Sequence, residues 1–290
     1  MEGLPAYVDM LSYVFIVMYM LSVPLETTHG ELVRTLAHFN LMGRALLANF
    51  VIIPILGVII ARFLSLAPEI KTGFLLLALA PGGLLALQFA RVSKGNRVFA
   101  VALLLVSCLL AILITPTIVQ WWFPLKHEES PLIGMIWMLV ILIVAPLIVG
   151  RVLQTAIPKQ APKLGLWLGR LSIVVFVIAA LSAGKYKTPA IKLMGTNGIE
   201  AIVLLILCSW VVGWIMGGPE VRNRKVLAIS SSMRNVGVCL PIAASYFAAT
   251  DVAVPMLAFS GIMIPMNMVF ALLTGRMLRD PADGPAPVRA

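Results

Sequence analysis

Long apolar stretches separated by short polar segments run through almost the whole chain. A helix needs about 20 apolar residues to cross the hydrocarbon core of a bilayer. Nine such stretches occur, at about 7–25, 41–62, 68–90, 97–121, 132–153, 167–184, 199–217, 226–248 and 253–276. The pattern predicts an all-α polytopic membrane protein with nine transmembrane helices in one domain, 1–277. The polar, Pro-rich residues 278–290 are expected to form a disordered tail.

The composition supports a membrane protein. Hydrophobic residues make up 61% of the chain and charged residues only 12%, and the mean hydropathy is +1.02. A soluble domain of this size needs more charge to cover its surface. No Lys or Arg precedes the first apolar run, which follows Glu2 and Asp9. That run is therefore expected to be a retained helix rather than a signal peptide.

The basic residues give the orientation. Of the 22 Lys and Arg residues, fifteen fall on the side reached after the first helix, six fall on the other side, and Arg234 lies within a span. Lys and Arg concentrate in cytoplasmic loops, so we expect a cell-membrane protein with its N-terminus outside and its C-terminus in the cytoplasm. The net charge of +10 is assigned to these loops and not to nucleic acid, because no nucleic-acid-binding motif is present.

Two spans carry helix-breaking residues near their middles. The third contains Pro81, Gly82 and Gly83, and the eighth contains Gly237 and Pro241. Proline removes a backbone donor and glycine weakens a helix, and the freed groups must be buried in protein or face a cavity. Because these spans are five apart, they cross in opposite directions. This is the pattern of inverted repeats whose broken helices build a midplane site, although a simple kink in each span is the alternative.

Polar residues near these breaks are the candidate substrate-binding residues: Arg234, Asn235 and Ser232 in the eighth span, Gln88 in the third and Asn267 in the ninth. A charge at the bilayer centre costs at least about 2.5–3.5 kcal/mol. Arg234 therefore either pairs with an anionic substrate through its forked donors or caps carbonyls freed at the breaks in place of a bound cation. Both interpretations stay open.

The remaining polar residues suggest no further site. Asn49, near Pro54 in the second span, is interpreted as an amide that bonds a neighbouring helix. The three cysteines lie in apolar runs without metal spacing and are interpreted as packing residues. No nucleophile with a base, carboxylate pair or phosphate loop occurs, so we expect no enzyme.

Two short motifs resemble the bile acid:sodium symporter family. They are "APGG" at 80–83 and "MRNVG" at 233–237, and the resemblance runs from about the second to the ninth helix. It implies a core domain built around two crossed, unwound helices, here the third and eighth, and a panel domain formed by the remaining helices. Nine helices with the N-terminus outside suit the shorter form of that family.

The family's sodium ligands are replaced in this sequence. Small polar side chains after the Pro-Gly-Gly motif are replaced by Ala86 and Leu87. A glutamate and a glutamine of the second crossing helix are replaced by Ser230 and Arg234. Further hydroxyl ligands are replaced by Leu105 and Cys108. Sodium prefers hard oxygen ligands and usually a carboxylate. We therefore expect no sodium site, no other metal and no cofactor.

The expected function is secondary transport of a small organic anion, with the lipid bilayer and that anion as partners. One alternative is a membrane protein that no longer transports and instead binds a ligand or a partner. Another is an oxyanion or metalloid exporter of related fold. The sequence leaves the oligomeric state open.

Overall fold

The computed structural model describes residues 6–26, 30, 35, 38–122, 131–182, 184–247 and 250–278. In this part of the chain the regular structure is entirely helical. The expectation of a disordered tail at 278–290 lies outside the described residues, apart from Leu278. The helices are α1 Ala6–Leu25, α2 Phe39–Leu47, α3 Ile53–Phe63, α4 Pro68–Leu79, α5 Ala86–Val92, α6 Arg97–Trp122, α7 Pro131–Leu139, α8 Ala145–Ala156, α9 Ala161–Ser182, α10 Gly184–Met216, α11 Val221–Ser232, α12 Val236–Tyr246 and α13 Val254–Met277.

Several of these helices are membrane helices by length and composition. Five stretches among the described residues are long and apolar enough to cross a bilayer: Phe39–Phe63, Arg97–Thr115, Ala161–Ala179, Ala190–Met216 and Asp251–Met277. Two shorter apolar helices are Tyr13–Leu25 and Val140–Ala156. The predicted class, an all-helical polytopic membrane protein, is confirmed at this level.

Two helices widen into a π turn in front of a proline. α2 continues into α3 through Ala48–Ile52, and α7 continues into α8 through Val140–Val144. Pro54 and Pro146 follow these turns directly. Because proline has no N–H to give to the preceding turn, the hydrogen-bond ladder widens there rather than ending.

The helices fall into two groups by their contacts. α1 lies mainly against α8 and α9, and we call these three helices the panel. α7 continues into α8 but packs mainly against α6. Close approach within the panel depends on small residues, since a Cβ atom at Gly150 would lie 2.5 Å from the backbone oxygen of Leu21. The second group, which we call the core, contains the interrupted pairs α4–α5 and α11–α12 together with the helices that surround them. The surrounding helices are α2, α3, α6, α10 and α13.

Both expected interruptions of regular helix are present. α4 ends at Leu79 and α5 begins at Ala86, so Pro81, Gly82 and Gly83 lie in the non-helical segment between them. Gly82 has a φ of +90°, which a residue with a Cβ atom rarely adopts.

The second interruption lies earlier in the sequence than its expected breakers. α11 ends at Ser232 and α12 begins at Val236, so Gly237 and Pro241 lie inside α12. The Asn235 carbonyl already accepts the N–H of Cys239 at 3.1 Å, which starts the new helix before these two residues. The assignment of Gly237 and Pro241 to the break itself is therefore corrected.

Contacts at the two ends of the core show that the interrupted pairs run in opposite directions. At one end, just after α5, the Asn96 amide donates to Asn223 at the start of α11 at 3.0 Å. At the other end, the Glu69 carboxylate near the start of α4 accepts the N–H of Asp251 at 3.0 Å, and Asp251 follows α12. The start of each pair therefore lies beside the end of the other.

Candidate functional site at the helix interruptions

The last turn of α4 leaves carbonyls without donors from the turn that would follow. The regular helical N–H for the Leu77 carbonyl would come from Pro81, which has none, and the N–H of Ala80 donates to this carbonyl at 3.2 Å instead. Arg234 donates in addition from Nε to the Leu77 oxygen at 3.1 Å and from Nη2 to the Ala78 oxygen. One side chain thus caps two carbonyls at the helix C-terminus, where the helix dipole is negative.

The two neighbouring carbonyls of α4 have other donors. The Cys239 thiol of α12 lies 3.6 Å from the Leu76 oxygen, and the Thr115 hydroxyl of α6 donates to the Leu79 oxygen at 3.3 Å. Each of the last four carbonyls of α4 therefore faces a side-chain donor from outside α4. This meets the requirement that backbone groups freed inside a membrane protein find partners.

The two interruptions also bond to each other through their backbones. The N–H of Gly83 donates to the Met233 oxygen at 3.1 Å, and the N–H of Asn235 donates to the Ala80 oxygen at 2.9 Å. Gly83 allows this approach, because a Cβ atom there would lie 2.5 Å from the Met233 oxygen. The breaks are therefore joined directly at a close contact, which we call the crossover.

A third helix reaches Arg234 through the π turn that precedes α3. Ile53 donates its N–H to the Ala48 oxygen, and Pro54 has no N–H, so the Asn49 carbonyl lacks a helical donor. Arg234 Nη2 donates to this carbonyl at 3.4 Å. Arg234 Nη1 lies 3.5 Å from the Asn49 side-chain oxygen, a longer and weaker contact.

Asn49 then links this cluster to α11. Its amide nitrogen donates to the Ala45 oxygen at 2.9 Å and to the Ser231 hydroxyl at 3.3 Å. Arg234 and Asn49 are each 1% exposed, so water does not compete for these bonds. We call Arg234, Asn49 and the Leu77 and Ala78 carbonyls the buried arginine site.

The buried arginine site holds a positive charge with neutral acceptors. Every described partner of Arg234 is a carbonyl or amide oxygen, and no acidic side chain among the described residues pairs with it. Hydrogen bonds from a charged donor are stronger than neutral ones. The arrangement can act as a fixed cation at the crossover. Substrate binding by Arg234 stays a prediction.

Two other candidate residues meet on the core side of the crossover. The Ser232 hydroxyl donates to the Asn267 side-chain oxygen at 2.6 Å, and the Trp210 indole N–H donates to the same oxygen at 3.1 Å. Asn267 and Ser232 are almost fully buried. These contacts join α10, α11 and α13, so both polar groups have protein partners in this structure.

Asn235 and Gln88 lie where the core approaches the panel. Asn235 adjoins Gly237, and a Cβ atom at Gly237 would lie 3.0 Å from the Ile16 side chain of α1. Gln88 is partly buried, and its oxygen accepts a hydrogen bond from Arg91 Nη1 at 3.4 Å. The structure thus brings Arg234 and Asn235 together at the crossover, whereas Gln88 lies further along α5.

The structure places several of the residues that the resemblance aligns with sodium ligands, while the absence of a sodium site stays a prediction. Ala86 and Leu87 are buried apolar residues, and the Cys108 thiol lies 3.9 Å from the Gly82 oxygen. Among the described residues, no group of three or more His, Cys, Asp or Glu side chains could hold a metal ion.

Sequence reasoning missed three members of the site. Asn49 was expected to bond a neighbouring helix, which its bond to Ser231 of α11 confirms. Its contact with Arg234 was missed, although its position five residues before Pro54 was the signal that its carbonyl is free. Thr115 and Cys239 carried no signal, because a hydroxyl or thiol in an apolar helix usually returns its proton to its own preceding turn or packs as a small residue.

Paired interrupted helices in an all-helical membrane protein are a feature of many secondary-transporter folds. Residues 13–189 match the Sodium Bile acid symporter family, and the chain therefore belongs to that family. The matched residues include the first interruption, whereas α11, α12 and Arg234 lie beyond them. The protein is thus a multi-pass membrane transporter for a small molecule and not an enzyme.

Two curated relatives are similar over most of this chain. It is 25% identical over 224 residues to the "Uncharacterized sodium-dependent transporter YocS" of Bacillus subtilis (strain 168), an alignment covering 74% of this chain and 67% of that protein. It is 24% identical over 241 residues to the "Probable sodium/metabolite cotransporter BASS2, chloroplastic" of Oryza sativa subsp. japonica. That alignment covers 81% of this chain and 57%, less than two thirds, of the rice protein.

Proposed function

We propose that this protein is a secondary transporter that moves a small organic anion across the cell membrane without sodium. The observation that carries the proposal is the buried arginine site. A guanidinium there donates to the Leu77 and Asn49 carbonyls beside the crossover at 3.1 and 3.4 Å, at a position where the resemblance to the bile acid:sodium symporter family implies a cation ligand.

The architecture we propose has nine membrane crossings. Five are the long apolar stretches, two are the shorter apolar helices, and two are the interrupted pairs α4–α5 and α11–α12. The opposite directions of the interrupted pairs support inverted repeats. The excess of basic residues on one side supports an N-terminus outside and a C-terminus in the cytoplasm.

Loss of sodium coupling follows from charge as well as from missing ligands. Both relatives have names that mention sodium. In this chain a permanent cation, Arg234, stands at the crossover, and Ser230 replaces the carboxylate that would help to bind sodium. A second cation would meet repulsion there without compensation. The fixed charge therefore takes the electrostatic place of the bound ion.

The same charge favours an anionic substrate. No acidic side chain among the described residues neutralises Arg234, so the crossover keeps a positive potential that a carboxylate or sulfonate complements. Asn235 lies at the panel boundary and adds a polar group beside it. Movement of the panel relative to the core would expose this region to each side in turn.

Two measurements on purified full-length protein test the proposal. The first is thermal unfolding with a series of monocarboxylates, dicarboxylates and aryl sulfonates, in sodium and in potassium buffers of equal ionic strength. The second is uptake of each stabilising anion into proteoliposomes, with and without a sodium gradient. We expect anion-dependent stabilisation and uptake that are the same in both buffers.

Other outcomes would point to the alternatives. Uptake that requires sodium would show that backbone oxygens rebuild an ion site and would overturn the sodium-free mechanism. Anion binding without uptake would indicate a non-transporting binding protein. If organic anions neither stabilise the protein nor are taken up, and an inorganic oxyanion is exported, the result would indicate an exporter of related fold.

A further inference from the structure

We propose that a cavity at the predicted cytoplasmic end of the molecule binds a multiply charged oxyanion, which competes there with Glu26 for two arginines. The cavity has a volume of about 460 Å³ and lies between core and panel. Its lining residues are Arg91, Lys94, Gly95, Arg97, Leu166 and Arg222. We call it the basic cavity.

The basic cavity differs from ordinary basic loops because basic side chains from separate segments converge on one space. The tendency of Lys and Arg to lie in cytoplasmic loops explains which end they occupy, but it does not explain why four of them line one space. They come from α5, from the turn after it, from the start of α6 and from the start of α11. Like charges brought this close repel one another, and a bound anion would offset that repulsion.

The backbone of the turn places one of these charges. Lys94 has a φ of 56°, a left-handed conformation that a residue with a side chain seldom adopts. Gly95 follows it and packs against α11, where a Cβ atom would lie 2.7 Å from the Val226 side chain. The turn is thus held by packing in a shape that keeps Lys94 at the cavity wall.

Glu26 shows that the arginines of this cavity bind carboxylates. Its side chain is only 5% exposed and pairs with Arg91 Nη2 and, at 3.4 Å, with Arg97 Nη2. Glu26 follows α1 of the panel, whereas both arginines belong to the core, so these ion pairs join the two groups. An anion that takes the arginines from Glu26 would loosen this connection.

The balance of charge indicates the class of ligand. Four basic side chains line the cavity, and Glu26 is the carboxylate that the structure places against two of them. The excess of positive charge favours a ligand with two or more negative charges, such as a dicarboxylate, phosphate or a phosphate monoester. Arginine pairs with such oxyanions through two parallel hydrogen bonds. The same chemistry is offered by a soluble anion and by the phosphate of an anionic lipid headgroup.

Binding to the purified full-length protein tests the proposal without any transport measurement, so it stands or fails separately from the proposed function. The probes are inorganic phosphate and succinate in neutral detergent, followed by calorimetry and thermal unfolding. For the lipid source, the protein is placed in vesicles of phosphatidylcholine alone or mixed with phosphatidylglycerol. Arg97→Gln and Arg222→Gln remove cavity charges. Arg62→Gln, exposed and on the predicted opposite side, is the matched control.

We expect each cavity variant to weaken binding roughly two- to fivefold, as for partly exposed charge pairs, and the control to leave it unchanged. Glu26→Gln removes the competitor and is expected to tighten binding. Effects confined to phosphate and succinate would support a soluble ligand, and effects confined to phosphatidylglycerol vesicles would support a lipid headgroup. Absence of binding, equal loss in Arg62→Gln, or weaker binding in Glu26→Gln would overturn the proposal.

Discussion

The buried arginine site and the basic cavity place positively charged arginines in opposite environments. In the buried arginine site, Arg234 is 1% exposed and binds neutral oxygens of α4 and of the π turn before α3. In the basic cavity, Arg97 has a side chain that is 58% exposed and pairs with the carboxylate of Glu26. The first charge is enclosed by its own protein, and the second adjoins an open space.

This difference indicates whether Arg234 or Arg97 is needed for the stability of the fold. Without Arg234, the Ala78 and Asn49 backbone carbonyls would lose their side-chain donor in an apolar interior, and unsatisfied polar groups are expensive there. The acceptor of Arg97 is the buried carboxylate of Glu26, but Arg97 itself is largely exposed to water and 3.4 Å away, and an ion pair with an exposed partner contributes little. The first arginine should therefore behave as part of the scaffold and the second as a replaceable contact.

The largest expected effect follows removal of the buried charge. Arg234→Gln shortens the side chain and leaves the carbonyls of Ala78 and Asn49 without the donor that Arg234 supplies. Each buried carbonyl left unsatisfied costs about 1–3 kcal/mol, so we expect a large fall in the thermal unfolding midpoint or a loss of folded protein. Thermal unfolding of the purified protein in detergent measures this loss of stability.

Arg97→Gln is the matched control for that change, because it removes the same charge and introduces the same amide at the exposed region. We expect at most about 1 kcal/mol of destabilisation. Equal losses of stability in Arg97→Gln and Arg234→Gln would contradict the distinction between scaffold and replaceable contact. Intact folding of Arg234→Gln together with lost anion binding would instead support a role for Arg234 in substrate binding.

A smaller effect is expected from a single methyl group at the crossover. Gly83→Ala places a Cβ atom 2.5 Å from the Met233 oxygen, which neither backbone can accommodate without moving. Overpacking typically costs about 1–3 kcal/mol. The expected result is a lower unfolding midpoint, whereas Gly43→Ala, where the added atom meets nothing within 4 Å, should leave it unchanged or raise it. Tolerance of Gly83→Ala would mean that the breaks are not held in contact.

The contrast between the two regions also explains what the sequence could predict. Apolar stretch length is local information, and it was enough for the membrane class. Pro81, Gly82 and Gly83 alter the backbone at their own positions, so the first interruption could be predicted from the sequence. The position of the second interruption could not, because the helix ends before Gly237 and Pro241. The chain leaves the helix at Met233, where its backbone bonds Ala80 and Gly83 of the first interruption.

Contacts between residues that are distant in sequence could not be predicted from such local information. Arg234 was identified as a charge that needs compensation, but Leu77 and Ala78 offered only backbone oxygens, and every residue has those. Glu26 and Arg91 were likewise two unremarked loop charges, 65 positions apart. Their pairing depends on how the panel packs against the core, which no single segment of the chain specifies.

A still smaller effect should come from one hydroxyl at the crossover. Thr115→Val keeps the shape of the side chain but removes the donor to the Leu79 oxygen, which is 3.3 Å away. Leaving one buried carbonyl unsatisfied costs about 1–3 kcal/mol, and we expect the lower end of that range because this bond is long. Thr117→Val is the control, since the hydroxyl of this exposed residue returns to the Leu113 oxygen of its own helix and its loss should be nearly neutral. Equal unfolding midpoints for the two variants would argue against donors from α6 stabilising the end of α4.

The smallest expected effect is the response to the identity of the cation in the buffer. Because Arg234 supplies the positive charge at the crossover, exchanging sodium for potassium at equal ionic strength should leave the unfolding midpoint unchanged. Raising total salt should instead weaken the exposed pair of Arg97 with Glu26 by screening, and the small loss of stability should disappear in Glu26→Gln. A rise in the midpoint that is specific to sodium would show that an ion binds beside Arg234, and the fixed charge would then accompany the ion rather than replace it.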